Sequence, residues 1–122
     1  MKNFVVQEHH AVRAGLHYDF RLEYGGVLKS WACKKEPPTE VGEKVLAIET
    51  TDHDLSYLTF EGEIYTKYGK GTVEIWDIGE YEMVSEGRGS YLFILHGEKM
   101  KGRYSLVRME KKKWLLSKTK SS

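Results

Sequence analysis

Residues 17–24, HYDFRLEY, alternate without a break between two kinds of side chain, and this alternation restricts the chain more than any other stretch. Tyr18, Phe20, Leu22 and Tyr24 take one parity, while His17, Asp19, Arg21 and Glu23 take the other. A β-strand sends successive side chains to opposite faces, whereas a helix would mix the two sets. The segment therefore predicts a strand with one packed face and one face of ionisable groups in a row. His17 and Asp19, neighbours on that face, bring an imidazole nitrogen and a carboxylate oxygen within reach of one divalent cation. Arg21, one step on, carries a planar guanidinium suited to a phosphate oxygen. A polar strand face is ordinarily just solvated. Here, however, His9 and His10 sit before a loop containing Gly15, from which a third ligand can fold back.

The rest of the chain repeats the β pattern. FVV within Met1–Gln7 fits a first strand, with His9–Gly15 as loop. Gly25-Gly26 separates two alternating runs and predicts a tight primed hairpin turn, because glycine accepts positive φ. Val27–Cys33 is then the returning strand. KKEPPTEVGEK, broken by Pro37, Pro38 and Gly42, reads as a surface loop. Val45–Thr51 is β-like, with Leu46, Ile48 and Thr50 on one parity. KYGKG at 67–71 is a tight turn that lacks the length and GK[ST] ending of a nucleotide P-loop. TVEIWD, YLFILHG, RYSLVRM and WLLSK follow as short runs punctuated by EGRGS, GEKMKG and KKK. Short strands with turn signals at regular spacing predict an all-β fold, a single compact β-barrel of short antiparallel strands. Little helix is expected beyond a turn or two near Ser56–Phe60. Trp31, Trp76 and Trp114 fall within strands and read as core, as does the Tyr91, Phe93, Leu95 face.

A chain of 122 residues holds one domain, 1–122, with residues 119–122 as a frayed tail. No apolar run approaches the roughly 20 residues that cross a bilayer, and the N-terminus lacks a secretory pattern. The single cysteine, Cys33, excludes an internal disulfide and reads as a buried, inert thiol. The expected location is cytoplasmic and the expected state a monomer. Net charge is only +1, but residues 99–122 carry nine Lys or Arg against one acid, Glu110. Such a segment can follow a polyanion or can simply be a solvated face.

His53 lies between Asp52 and Asp54 in TDHDLSY, with Tyr57 four residues on. The flanking acids favour a charged imidazole, which suits donation of a proton to a leaving oxygen. Lys34 and Lys35 stand at the entrance of the proline loop. Proximity to Arg21 across the hairpin would make Lys35 a phosphate contact.

FVVQEHH, GLHYDFRLE, GGVLKSWA, LAIETTDHDLSY, FEGEI, YGKGTVEIWD, LHGEKMKGRYSLVRM and WLLSK occur in an order that resembles the 3′-phosphoesterase module of DNA ligase D and its free-standing relatives. The resemblance runs from Phe4 to about Lys118. It implies a manganese-dependent enzyme on a compact β-barrel, although sites of two histidines and an aspartate also accept Zn2+ or Co2+. Such modules remove a terminal ribonucleoside from a primer strand as a phosphodiesterase, and then the remaining 3′-phosphate as a phosphomonoesterase. The implied metal ligands are His9, His17 and Asp19. Arg21, His53, Tyr57 and Lys35 match the family's phosphate-contacting and catalytic positions, and Glu23 is placed to hold a neighbour. The chain departs from the pattern at His10 beside His9, at Val45 and Thr51, and in IYTKYGKG, which lacks a proline.

On this reading the cation polarises a phosphate oxygen and activates water, while Arg21 and Lys35 offset phosphoryl charge. The partners are 3′ ends of DNA or of a DNA/RNA primer-template, together with a separately encoded ligase or polymerase. Two rivals belong to other classes: a non-catalytic module that grips a 3′ terminus, and a metallophosphatase of small molecules. Turnover of a primer carrying one 3′-ribonucleotide singles out the first reading, and hydrolysis of a free phosphomonoester without duplex DNA marks the last.

Overall fold

The computed structural model describes residues 1–66 and 69–120. Strands β1 (Lys2–Ala11), β2 (Gly15–Tyr24) and β3 (Val27–Cys33) form a meander that leads into β4 (Lys44–His53) and a 3-10 helix (Leu55–Thr59). Strands β5 (Gly62–Thr66), β6 (Gly69–Gly87), β7 (Ser90–His96), β8 (Lys101–Glu110) and β9 (Lys113–Lys118) follow. Neighbours pair antiparallel in the order β1-β2-β3-β4-β9-β8-β7-β6, and β6 pairs back onto β1. The sheet thereby closes into an eight-stranded barrel, with β5 lying outside it on the first half of β6. Closure removes free strand edges from the barrel wall. The all-β barrel expected from the turn spacing is the fold observed.

Alternation sorts the side chains as the sequence implies. Phe4, Phe20, Trp31, Phe93, Tyr104 and Leu116 are wholly buried and fill the interior. The hairpin between β2 and β3 turns on Gly25 and Gly26, at φ 61° and 84°, values that only glycine adopts freely in succession. Where β1 meets β6 the register shifts between Val6 and Gln7, which pair with Asp77 and Ile75. Trp76, the extra residue of this bulge, packs edge-on against Tyr18 at 5.8 Å between ring centroids.

Several boundaries differ from the sequence reading. Strand β1 continues to Ala11 instead of giving way to loop after Gln7, so His9 and His10 are strand residues with opposite facings. The register that pairs Gln7 with Asp19 simply carries on to His9 opposite His17. The loop after β3 is not wholly at the surface: Pro37 and Pro38 are buried, and the carbonyl of Pro38 accepts the Tyr104 hydroxyl at 2.7 Å. His53 closes β4 and does not sit in the loop beyond it. Of the KYGKG turn, Lys67 and Tyr68 lie outside the described residues, as do Ser121 and Ser122 of the expected frayed tail. Thr119 is tied down, its N–H donating to the carbonyl of Arg103 at 2.8 Å. The basic segment forms β8 and β9, across the barrel from β1 and β2. Among the described residues, no helix is long and apolar enough to cross a membrane.

Candidate active site

The site lies on the outer wall of the barrel, not in its interior. The core takes Phe4 and Val6 of β1 and Phe20 and Leu22 of β2, so the opposite parity of the same strands faces outward. His9 pairs directly with His17, and Asp19 follows on the same face of β2. Nδ1 of His9 lies 3.1 Å from Nε2 of His17, and Oδ2 of Asp19 lies 3.7 Å and 3.3 Å from those two atoms. Two donors each about 2.0–2.2 Å from one ion stand roughly 3.0–3.6 Å apart, so this triangle has the size that a single divalent cation requires. Two neutral imidazoles and a carboxylate on one side of an ion leave its other positions open. The His9 and His17 side chains are 18% and 21% exposed, so those positions face solvent.

Asp19 is ionised although buried. Burial, the largest single influence, raises its pKa, but His17, His9 and the Arg21 guanidinium together hold the carboxyl well below the usual range. The same hydrogen bond to Asp19 raises the pKa of His17, against burial. Gly71 of β6 makes room for the His9 ring. A Cβ at that position would meet Nε2 of His9 at 2.9 Å and the carbonyl oxygen of His10 at 3.0 Å.

Arg21 is the next outward residue of β2 and is 4% exposed. Its Nε donates to Oε1 of Gln7 and its Nη1 to Oγ of Ser30, both at 2.7 Å, leaving Nη2 3.4 Å from Asp19. Burial lowers the Arg21 pKa and Asp19 opposes that shift. The guanidinium is thus fixed by strands on both sides, with one nitrogen turned toward the carboxylate. Gln7 also donates through Nε2 to the carbonyls of Tyr57 and Phe60, at 2.8 Å and 3.1 Å. This clamps the 3-10 helix over the outer wall. Tyr57 consequently lies with its ring 5.0 Å from Cζ of Arg21, stacked on Phe60 and tilted against His53. The helix itself starts at Asp54, whose side chain caps the N–H of Ser56 at 2.9 Å.

His53 corrects the sequence expectation. Its pKa is lowered, first by burial and then by Arg21, and Asp52 contributes only a weak opposing effect. Nδ1 lies 3.1 Å from Nη1 of Arg21 and 2.9 Å from the carbonyl oxygen of Thr51. A guanidinium only donates and a carbonyl only accepts, so Nδ1 serves one of them at a time. When it accepts from Arg21 the ring is neutral and its proton sits on Nε2.

Most of the expected site residues therefore meet: His9, His17, Asp19, Arg21, His53 and Tyr57 form one constellation. His10 faces the other way, 3.3 Å from the Glu8 carboxylate, which leaves His9 as the histidine of the donor triangle. Lys35 is not brought together with Arg21. Arg21 pairs with Ser30, whereas Lys35 lies five residues on, beyond the end of β3 at Cys33. Lys35 lies instead on the rim beside Leu16, Tyr18, Lys34 and Lys44. Glu23 holds Asn3, accepting from its backbone N–H at 2.9 Å, and does not reach the donor triangle. Gln7 and Ser30 went unread in the sequence, and Gly71, read as part of the KYGKG turn, lies within β6. Gln7 shares the parity of His9 on β1, the one local sign that it faces the site.

The model of one family, the DNA Ligase D 3′-phosphoesterase domain, matches residues 7–108. The chain belongs to this family. Among relatives of the 3′-phosphoesterase domain, the multifunctional non-homologous end joining DNA repair protein LigD of Mycobacterium tuberculosis H37Rv is 46% identical over 123 residues. That match covers 97% of this chain and 16% of the relative. The multifunctional non-homologous end joining protein LigD of Mycolicibacterium smegmatis is 43% identical, with 96% of this chain and 17% of the relative covered. For LigD of Pseudomonas aeruginosa the figures are 42%, 96% and 15%. This phosphoesterase-family chain thus spans about a sixth of the length of the curated relatives it matches.

Proposed function

We propose that the chain is a metal-dependent phosphoesterase of nucleic-acid 3′ ends. It takes a terminal ribonucleoside from a primer strand and then the 3′-phosphate left behind, in the manner of end healing before strand joining. The observation that carries this reading is the donor triangle of His9, His17 and Asp19 with a fixed guanidinium beside it, in a chain of the 3′-phosphoesterase family. His9, His17 and Asp19 would hold the cation, for which we propose Mn2+; when bound it supplies Lewis acidity toward a phosphate oxygen and toward water.

The chain's own residues then have distinct tasks. Arg21 offers its charge to the phosphoryl group without having to reorganise, because Gln7 and Ser30 already fix two of its nitrogens. Asp19 keeps that charge oriented and stays ionised across the neutral range. His53, neutral when it accepts from Arg21, presents an Nε2–H that can donate to a phosphate oxygen; of the two tasks expected of it, holding phosphate fits the lowered pKa better than acid catalysis. Tyr57 stacks over Arg21 and shields it from water, a contact worth about 0.5–2 kcal/mol. The partners are primer-template 3′ ends, with a ligase or polymerase acting on the product.

The experiment is turnover of a primer-template carrying one 3′-ribonucleotide, with and without Mn2+, Zn2+ and Co2+. A product shortened by one nucleoside, followed by loss of its 3′-phosphate, is expected with metal alone. Substituting Arg21→Gln should slow the reaction by about 100- to 1000-fold. Metal-dependent binding of the primer with no shortened product would replace the enzyme reading by that of a non-catalytic end-binding module.

A further inference from the structure

On the outer wall the row that begins at Asp19 continues sideways. Asp19 pairs with Ala32 of β3, and Ala32 pairs with Ile48 of β4. Leu46, on the same outward face of β4, pairs with Leu115 and is 48% exposed. Ala32, Val45, Leu46 and Ile48 floor a depression of about 390 Å³ rimmed by Lys34, Lys35 and Lys44. Among the described residues its lining holds three lysines and no carboxylate. Glu43, the acid next to Lys44, is engaged elsewhere, accepting from the N–H groups of Thr39 and Glu40 at 3.0 Å and 2.9 Å.

Leu46, half-exposed beside Ile48 and Ala32, gives the outer wall an apolar face next to the reactive centre, a place where exposed apolar surface serves binding. Protein–protein interfaces are depleted in lysine and enriched in aromatic residues, whereas three of the seven lining residues here are lysines and none is aromatic, which argues against a protein partner. Three like charges around an apolar floor instead complement a chain of phosphates with apolar faces between them. Strands stand about 4.8 Å apart, so Ile48 lies roughly 10 Å from Asp19. At about 3.4 Å per nucleotide, a strand crossing this floor reaches the donor triangle in about three nucleotides.

We propose that this depression is the track of the nucleic-acid strand whose 3′ end enters the site. Sugar and base faces lie on Leu46 and Ile48, and Lys34, Lys35 and Lys44 meet the phosphates. The inference rests on the reading of the chain as a 3′-end phosphoesterase and adds where the substrate strand runs: across β3 and β4, toward the basic segment, whose strand β9 pairs with β4.

The test measures binding of a fluorescent primer-template by anisotropy in metal-free buffer, and its processing with Mn2+, for Leu46→Glu, Lys44→Ala and, as a control two strands beyond β4 at the start of β8, Lys101→Glu. Leu46→Glu is expected to weaken binding about tenfold or more, the loss in processing falling on KM. Lys44→Ala should lower the slope of log K against log salt by about one, a signature that a merely structural residue would not give. Lys101→Glu should leave both measurements as in the parent. The track is overturned if Leu46→Glu and Lys44→Ala bind as the parent does, if Lys101→Glu weakens binding as much, or if Leu46→Glu changes self-association in sedimentation without changing affinity. A parent protein that binds the primer through this face but processes no 3′ end would sink the proposed function and leave the track standing.

Discussion

Nη1 of Arg21 lies 3.1 Å from Nδ1 of His53, a residue 32 positions further along the chain. The guanidinium can only donate, so the ring is neutral whenever Nδ1 accepts from it; burial first and the Arg21 charge second lower the pKa. In an NMR titration His53 is expected to titrate below its ordinary 6.5, and Arg21→Gln should move it upward. The sign for stability follows from proton binding. As pH falls below about 6.5 the unfolded chain protonates this histidine before the folded protein does, so the folded state loses stability until the folded pKa is passed. Chemical denaturation at stepped pH should show this loss and a smaller one in Arg21→Gln. A His53 that titrates at 6.5 or above in the parent contradicts the contact.

The donor triangle sits on the side of β1 and β2 opposite the packed core, so metal and fold should separate cleanly. Chelators should leave the barrel folded, because Phe4, Phe20 and Trp31 fill its interior without help from the site. Added metal at about 100 times its Kd should stabilise the parent by about 2.7 kcal/mol. In His9→Ala that increment should vanish, while metal-free stability stays within about 1 kcal/mol, since the His9 side chain is partly exposed. Thermal unfolding with and without Mn2+ measures both quantities. A metal-induced shift that survives in His9→Ala would remove this residue from the ligand set.

Gly71 gives a sharper handle on the same histidine. A methyl group there would approach Nε2 of His9 to 2.9 Å and the backbone of His10 to 3.0 Å, closer than such atoms sit without displacement. The ring must turn or β1 must move, and either takes Nδ1 out of the triangle. Gly71→Ala is expected to weaken metal binding by about 10- to 100-fold, the range seen when the support of a ligand is lost. Its cost in stability should be about 1–3 kcal/mol. Titration with Mn2+ followed by the free-ion EPR signal reads the affinity directly. Unchanged affinity would mean that the ring does not rely on the empty space at Gly71.

What could be read from the sequence is explained by where each signal resides. The two faces of β2 were legible because eight residues keep a strict period of two, and no tertiary contact is needed to interpret that. The extension of β1 to Ala11 was not, because Glu8 and His10 take the inward parity only where the barrel opens to water, so the hydrophobic alternation stops before the strand does. His53 was misjudged from Asp52 and Asp54, its neighbours in sequence. The folded ring answers to burial and to Arg21, and only the register of β2, β3 and β4 brings that cation near. Gln7 and Ser30 are ordinary polar residues until the same register places them on either side of one guanidinium. The position of Lys35 relative to Arg21 is misread for the converse reason: a hairpin makes the two seem close, while the pairing puts them at different heights.

Asp77 provides a stability prediction independent of the site. It is 3% exposed, and its carboxylate accepts backbone N–H groups from Ile78 at 3.0 Å, Glu98 at 2.8 Å, Lys99 at 3.2 Å and Met100 at 2.8 Å. The turn between β7 and β8 is therefore wrapped around one oxygen pair from β6. Gly97 lets the turn come this close, for a Cβ there would fall within 2.3 Å of Oδ2 of Asp77 and 2.7 Å of the Phe4 ring. Asp77→Ala strips partners from several N–H groups that water reaches poorly, and each such loss costs about 1–3 kcal/mol. Allowing for partial rehydration of the turn, the total should be about 3–5 kcal/mol. Asp77→Asn keeps one acceptor oxygen and should recover part of that. Urea unfolding of the three proteins measures the order parent, Asn, Ala, with metal affinity unchanged in any variant that remains folded, because the turn lies away from the donor triangle. An Ala variant as stable as the parent would mean that the turn holds its shape without the carboxylate.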